Sequence, residues 1–203
     1  GVVRNRIKLD YIIANYAKVK GKMKPLVRNI LRMGIFQIIY MDSVPDSAAC
    51  NESVNLMIDS GLSGLKGFVN GVVRTVAREK ENITWPSKDN KIYYLSVFYS
   101  MPEWIVEYLI SNYGEEKAEL ILKKTVQPAE VTIRLNTLDD NKADEIINSI
   151  TQNGNILKKH DYLKMAYKLS KIDSIEYIPA FAKGDFTIQD VSSQLAIYLL
   201  PIM

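Results

Sequence analysis

The chain has 203 residues and a mass of 23.1 kDa, with 47% hydrophobic and 24% charged residues. That composition fits one large domain or two small ones and excludes a disordered chain. No uncharged apolar stretch approaches the roughly 20 residues of a membrane helix, and no basic leader with an apolar region and cleavage site opens the sequence. One cysteine, Cys50, excludes an internal disulfide and a multi-thiolate zinc site; one histidine, His160, excludes a histidine cluster. A cytoplasmic protein with no metal and no membrane segment is the expectation.

The net charge of +3 hides an asymmetry. Residues 1–85 carry 13 Lys and Arg against 7 Asp and Glu, whereas residues 86–203 carry 13 against 16. Within residues 1–33, Arg4, Arg6, Lys8, Lys18, Lys20, Lys22, Lys24, Arg28 and Arg32 face Asp10 alone. Such a cluster suits a phosphate-binding surface, and charge by itself does not separate that from a solvated helix face. The sequence opens at Gly1-Val2-Val3-Arg4 already inside a helical pattern and closes on an apolar run at 199–203. A fragment is therefore expected, with apolar surface left bare where missing ends would pack and a tendency to self-associate.

In chain order, residues 25–41 place Val27, Ile30, Leu31, Gly34, Ile35, Ile38 and Ile39 at the three- and four-residue spacings of a core-facing helix. Ser43, Pro45 and Asp46 supply helix-start chemistry. The next helix carries Cys50, Val54, Met57 and Ile58 on one face and stops at Gly61. A third puts Leu65, Phe68, Val69, Val72, Val73 and Val76 on one side. These elements predict an all-α bundle over residues 1–85 and a polar linker at 86–91.

Beyond the linker, Ser100-Met101-Pro102-Glu103 reads as a capping box ahead of Trp104, Ile105, Tyr108 and Leu109. A short helix follows Gly114. Residues 131–136 alternate with the period of a half-buried strand, a helix runs near 141–152, and strand-like pieces occupy 155–188. An amphipathic segment at 191–200 ends the chain. The expectation is a small α/β, RRM-like subdomain over 92–186, with 187–203 as the first helix of a further domain.

No catalytic constellation stands out. Cys50 lies on an apolar stripe and reads as packing. His160, among Lys158, Lys159 and Asp161, is expected exposed and without an acid–base partner. The pairs Glu115-Glu116, Asp139-Asp140 and Asp144-Glu145 sit near helix starts, where carboxylates favour the macrodipole. Neither phosphate-cradling glycine signature occurs. The informative element is the third helix, where Lys66, Asn70, Arg74 and Arg78 follow one another at four-residue steps beside Gly67 and Gly71. Such a row offers phosphate contacts, an amide for a base edge and room for close approach. The competing reading is a solvated helix whose glycines serve helix packing.

Asn51-Glu52-Ser53-Val54 and the run Gly67-Phe68-Val69-Asn70-Gly71-Val72-Val73-Arg74 resemble the N-E-x-V and F-V-N-G-V-L-R signatures of the NusB-like RNA-binding fold. Tyr99-Ser100-Met101-Pro102-Glu103-Trp104, the run 132–138 and the run 189–195 then follow in the order found in the Sun/RsmB family. Those are bacterial small-subunit rRNA cytosine-C5 methyltransferases that use S-adenosylmethionine. Met101, Val126, Ala129 and Ser192 depart from common family residues without touching known chemistry.

The resemblance implies an N-terminal fragment of an enzyme that binds and positions ribosomal RNA, with 187–203 as the first helix of its truncated, Rossmann-like catalytic domain. In the family, the glycine-rich cofactor loop and both catalytic cysteines lie beyond the position of Met203, so Cys50 inherits neither role. The chain itself is expected to hold no cofactor and to be inactive. RNA contacts are expected from Arg4, Arg6, Lys66, Asn70, Arg74 and Arg78 in the bundle. Thr132, Arg134 and Asn136, on alternate positions of one strand, add a second group, with Asn136 as base reader or as cap left open. Asp190 is read first as a helix N-cap. Ribosomal or transcription-complex proteins are further partners in this reading. The rivals are a NusB-type antitermination adaptor without activity, against which the α/β half argues, and a protein-interaction module whose basic face docks an acidic partner.

Overall fold

A computed structural model describes residues 1–19, 21–127, 130–152, 154–172 and 174–199. It divides into two compact units, Gly1–Gln127 and Pro128–Met203. The first is helical: α1 (Arg6–Tyr16), α2 (Pro25–Tyr40), α3 (Asp46–Asp59), α4 (Lys66–Glu79), α5 (Lys91–Tyr99) and α6 (Glu103–Val126). The periodic residues of 25–41 become the buried face of α2, and with Leu9, Ile12, Ala49, Met57, Val69, Val73 and Val76 they form one core. Each large aliphatic side chain sealed there contributes about 1.5–3 kcal/mol. Of the expected stripe residues, Ile58 and Leu65 are exposed and half-buried Val54 is not part of this core.

Helix α2 meets α3 closely at Gly34. A Cβ at that position would overlap the Ser53 hydroxyl and press on Val73. Ser53 is itself buried and donates its hydroxyl proton to Ala49 O at 2.8 Å. The third residue of the Asn51–Val54 motif thus has a packing role. Arg32 of α2 grips Asp10 of α1 through two parallel bonds, Nε to Oδ1 at 2.7 Å and Nη2 to Oδ2 at 2.5 Å, the bidentate geometry in which guanidinium is strongest. One of the nine early cations is thereby neutralised.

The compact boundary falls after the expected linker, because α5 packs on α1. The capping box expected at Ser100–Glu103 does not form. Ser100 is the left-handed C-cap residue of α5, with φ 54°, and Pro102 occupies the N-cap of α6 without a side-chain bond. The Ser100 hydroxyl oxygen instead accepts from the amides of Ile7 and Lys8 at 3.0 and 3.4 Å. These are first-turn donors of α1 that lack an intrahelical partner. The helical run breaks at Gly114, where φ is 76°, as the sequence suggests. Trp104 and Tyr108 on α6 are exposed.

The second unit contains β1 (Val131–Leu135), α7 (Asp140–Thr151), β2 (Ile156–Lys159), β3 (Ala166–Ser170), α8 (Pro179–Ala182), β4 (Phe186–Ile188) and α9 (Val191–Leu199). The strands form one antiparallel sheet in the order β2-β3-β1-β4, the β-α-β-β-α-β arrangement of ferredoxin-like folds. Ile133, Leu135, Tyr167, Leu169 and Phe186 pack with Ala143, Ile146 and Ile150 of α7. Asp139 caps α7 by accepting from the Asn141 amide at 2.9 Å. Residues 187 and 188 belong to the paired strand β4, so the expected break before 187 would cut the sheet. The last expected residues of the terminal segment, 200–203, lie outside the described residues.

The Gly34 contact gives a direct test. Gly34→Ala should destabilise the helical unit by about 1–3 kcal/mol, although Ala is normally the better helix former. Ser53→Ala in the same chain should restore most of the loss, because it removes the hydroxyl that the new methyl meets. Urea unfolding of both single variants and the double variant measures this.

Candidate nucleic-acid interface

The row expected along α4 separates into two parts. Arg74 and Arg78 line an open groove of about 680 Å³ together with Asp46, Ser47, Gly71 and Thr75. Lys66 and Asn70 do not line it. Four-residue steps advance a helix by more than one turn, so such a row drifts around the axis. Arg74 and Arg78 are exposed, and Arg78 Nη2 lies 3.5 Å from Thr75 Oγ1. Neither arginine has a carboxylate ion-pair partner among the described residues. Asp46, at the groove edge, is held by Lys80 Nζ at 2.9 and 3.1 Å.

Gly71 has open space where a Cβ would stand, and so does Gly67. The packing explanation that holds for Gly34 therefore fails at both positions. A glycine inside a helix costs about 1 kcal/mol relative to Ala, and here that cost leaves an unobstructed floor beside two guanidinium groups. Pro45, the N-cap residue of α3, makes no side-chain cap, so donors of that helix end also lie near the groove.

Cys50 borders the same groove but is only 3% exposed. Burial pushes its thiol above the usual range, with Asp46 adding to the rise and Arg74 opposing it. A thiol held protonated and covered is a packing residue. His160 is half-buried rather than exposed, and its Nδ1 accepts from the Tyr162 amide at 3.3 Å in a turn.

The other expected cations lie elsewhere on the helical unit. Arg6 occupies the first turn of α1 and is exposed. Arg4 lines a separate recess with Lys8. Sequence reasoning did not single out this recess, because its aromatic walls come from helices far apart in the chain.

The strand group is largely committed to structure. Thr132 is 7% exposed: β1 is an interior strand, Lys168 stands opposite Thr132, and the Gln189 amide donates to the Thr132 carbonyl at 3.1 Å. Asn136 Nδ2 donates to Gly184 O at 2.8 Å and to Thr187 Oγ1 at 2.9 Å. It fastens the end of β1 to β4 and the turn before it, a structural role distinct from capping the next helix. Arg134 is half-buried and donates from Nη2 to Asn136 Oδ1 at 3.3 Å, leaving other guanidinium protons available. Asp190 stands at the N-cap position of α9, its carbonyl accepting from Gln194 N at 3.1 Å and its carboxylate from the Ser192 hydroxyl at 2.5 Å.

Among the described residues no group of three or more His, Cys, Asp or Glu could hold a metal ion, and no helix is long and apolar enough to cross a membrane. Strand β4 passes to α9 through Gln189 and Asp190, with no glycine loop between strand and helix. That connection therefore lacks the glycine loop that cradles a nucleotide-type cofactor at a helix N-terminus.

Two predictions follow the local chemistry. Cys50 should resist alkylation at pH 8 in the folded chain and react fully in urea, which a thiol-labelling time course reads. Asn136→Ala should lower the stability of the sheet unit by about 1 kcal/mol, seen as an earlier denaturant midpoint; an unchanged midpoint would remove its role as a fastener.

Comparison with known proteins places these features. Residues 1–78 match the NusB family, and residues 101–176 match the Methyltr_RsmF/B-like, ferredoxin-like domain. A probable ribosomal RNA small subunit methyltransferase B of Bacillus subtilis is 33% identical over 96% of this chain and 43% of its own length. A protein of the same description from Synechocystis is 32% identical over 98% of this chain and 45% of its own length. The chain thus spans less than half the length of these curated relatives. The crystal structure of PH0851 shares the fold, with a TM-score of 0.70 at 17% identity over 98% of this chain and 44% of that one.

Proposed function

We propose, from the premise that this chain belongs to the Sun/RsmB family, that it holds and positions ribosomal RNA for a methyltransferase of which it is one part. The parent protein would methylate small-subunit rRNA at cytosine C5, with S-adenosylmethionine as the methyl donor. The described residues of this chain supply no cradle for that donor, and no step of the transfer is assigned to them. The chain alone is expected to lack transfer activity, and the parent to work in the cytoplasm.

The observation that carries the reading is the α3–α4 groove. Two arginines without carboxylate partners among the described residues stand over the open surface of Gly71, with the Ser47 and Thr75 hydroxyls beside them. Guanidinium groups bind phosphate oxygens in a planar fork, and a bare backbone floor lets a ribose-phosphate chain come close. Arg74 and Arg78 are the main phosphate contacts in this proposal. Arg4, Arg6 and Lys66 add charge, Asn70 offers an amide, and Arg134 contributes from the sheet unit while Asn136 keeps it in place. The ferredoxin-like unit supports the methyltransferase reading over an antitermination adaptor, which has no need of it.

The test is the salt dependence of binding to a single-stranded fragment of small-subunit rRNA, followed by fluorescence anisotropy. Replacing both Arg74 and Arg78 by Gln should weaken binding at low salt and make the log–log salt slope shallower by about 1.4, two phosphate contacts at about 0.7 each for a single strand. An unchanged slope would sink the assignment of these two residues.

A further inference from the structure

We propose that a second site, the aromatic recess bounded by α1, α2 and α5, receives one unpaired base of single-stranded RNA. The inference rests on the RNA-binding reading above and adds the chemical form of the ligand. The recess has a volume of about 280 Å³, and Arg4, Lys8, Phe36, Tyr40, Phe98 and Tyr99 line it. That volume lies just below the range of about 300–1,000 Å³ for drug-sized ligands, which suits a single planar ring rather than a dinucleotide.

The walls are rings. Phe36 and Tyr40, one helical turn apart on α2, have centroids 5.0 Å apart with planes inclined by 30°. Tyr40 is 39% exposed, so part of its ring is open to a ligand. Lys8 holds its ammonium 4.7 Å from the Phe98 ring, 4.9 Å from Trp85 and 5.8 Å from Tyr40. Burial pushes that ammonium below the ordinary lysine range, and neither it nor Arg4 has a carboxylate ion-pair partner among the described residues. Elsewhere in this unit Arg32, Lys80 and Lys91 are all paired. The recess therefore joins aromatic faces to two cations that have no carboxylate ion-pair partner among the described residues, one of them resting on rings.

That combination discriminates between ligands. An acidic side chain would satisfy Arg4 but make no use of the rings. A base paired in a duplex presents its edge and keeps its face stacked on its neighbours. An unpaired base matches both demands: its face lies on Tyr40, a ring carbonyl accepts from the Lys8 ammonium, and its phosphate meets Arg4. Aromatic side chains beside cations are the general device for holding single-stranded nucleic acid.

The test uses the 203-residue chain and a single-stranded RNA ten-mer carrying 4-thiouridine, irradiated and mapped by mass spectrometry. The expected cross-links are at Phe36 or Tyr40. In parallel, Tyr40→Leu should weaken single-strand binding about tenfold and leave binding to an equally long RNA duplex unchanged, while Tyr40→Phe binds like the parent chain. Cross-links confined to α3 and α4, or a folded Tyr40→Leu chain with undiminished single-strand affinity, overturn the recess while leaving the arginine groove standing. If Tyr40→Leu does not fold, the cross-link map of the unaltered chain decides. A chain with no RNA affinity at low salt overturns the recess and the groove together.

Discussion

The close approach of α2 to α3 at Gly34 is the constraint on which the helical unit is built. Helix α2 supplies the largest share of the core, and its contact with Ser53 brings α3 near enough for α4 to cover both. Gly34, Ser53 and Val73 meet at one point, one from each of three helices. The groove lined by Arg74 and Arg78 lies across the outer side of the α3–α4 pair, so its width depends on that inner contact. Interiors packed this densely transmit small volume changes rather than absorb them. A residue with no side chain thus bears on how α3, which carries Asp46 and Ser47, sits beside the α4 helix that carries Arg74 and Arg78.

Charge is distributed by a second rule. Cations that pack along helix contacts are neutralised there, as Arg32 is by Asp10 and Lys91 by Glu119. In the helical unit, four cations at two concave surfaces, Arg4, Lys8, Arg74 and Arg78, have no carboxylate ion-pair partner among the described residues. An exposed ion pair adds little to stability, so leaving the exposed Arg4, Arg74 and Arg78 unpaired costs the fold little, while the half-buried Lys8 rests on rings instead. Their field remains available to a polyanion.

Much of the fold is legible in the sequence because it depends on local periodicity. The buried faces of α2 and α4, the N-cap at Asp139, the break at Gly114 and the β1 alternation all come from residues within a few positions of each other. What was not legible depends on partners distant in the chain. Ser100 looks like the start of a capping box, yet its hydroxyl serves helix α1, more than ninety residues earlier. Thr132 alternates like an exposed residue, yet it is buried, with Lys168 of β3 opposite it on one side and Gln189, just past β4, bonded to its carbonyl. The site divides in the same way: Arg74 and Arg78 adjoin one groove because they lie one turn apart, whereas the rings beside Lys8 come from α2, α5 and the segment after α4.

Ser100 also bears on how this architecture can be dismantled. A left-handed conformation is disfavoured for a residue with a Cβ, and here it aims a hydroxyl at the open end of the first helix. The family match that ends at residue 78 and the physical body that ends at residue 127 are therefore different objects. An excision at the family boundary would strip the leading helix of its borrowed cap and take Phe98 away from the Lys8 ammonium. Inheritance drew its seam through a place where the forces holding the molecule together do not.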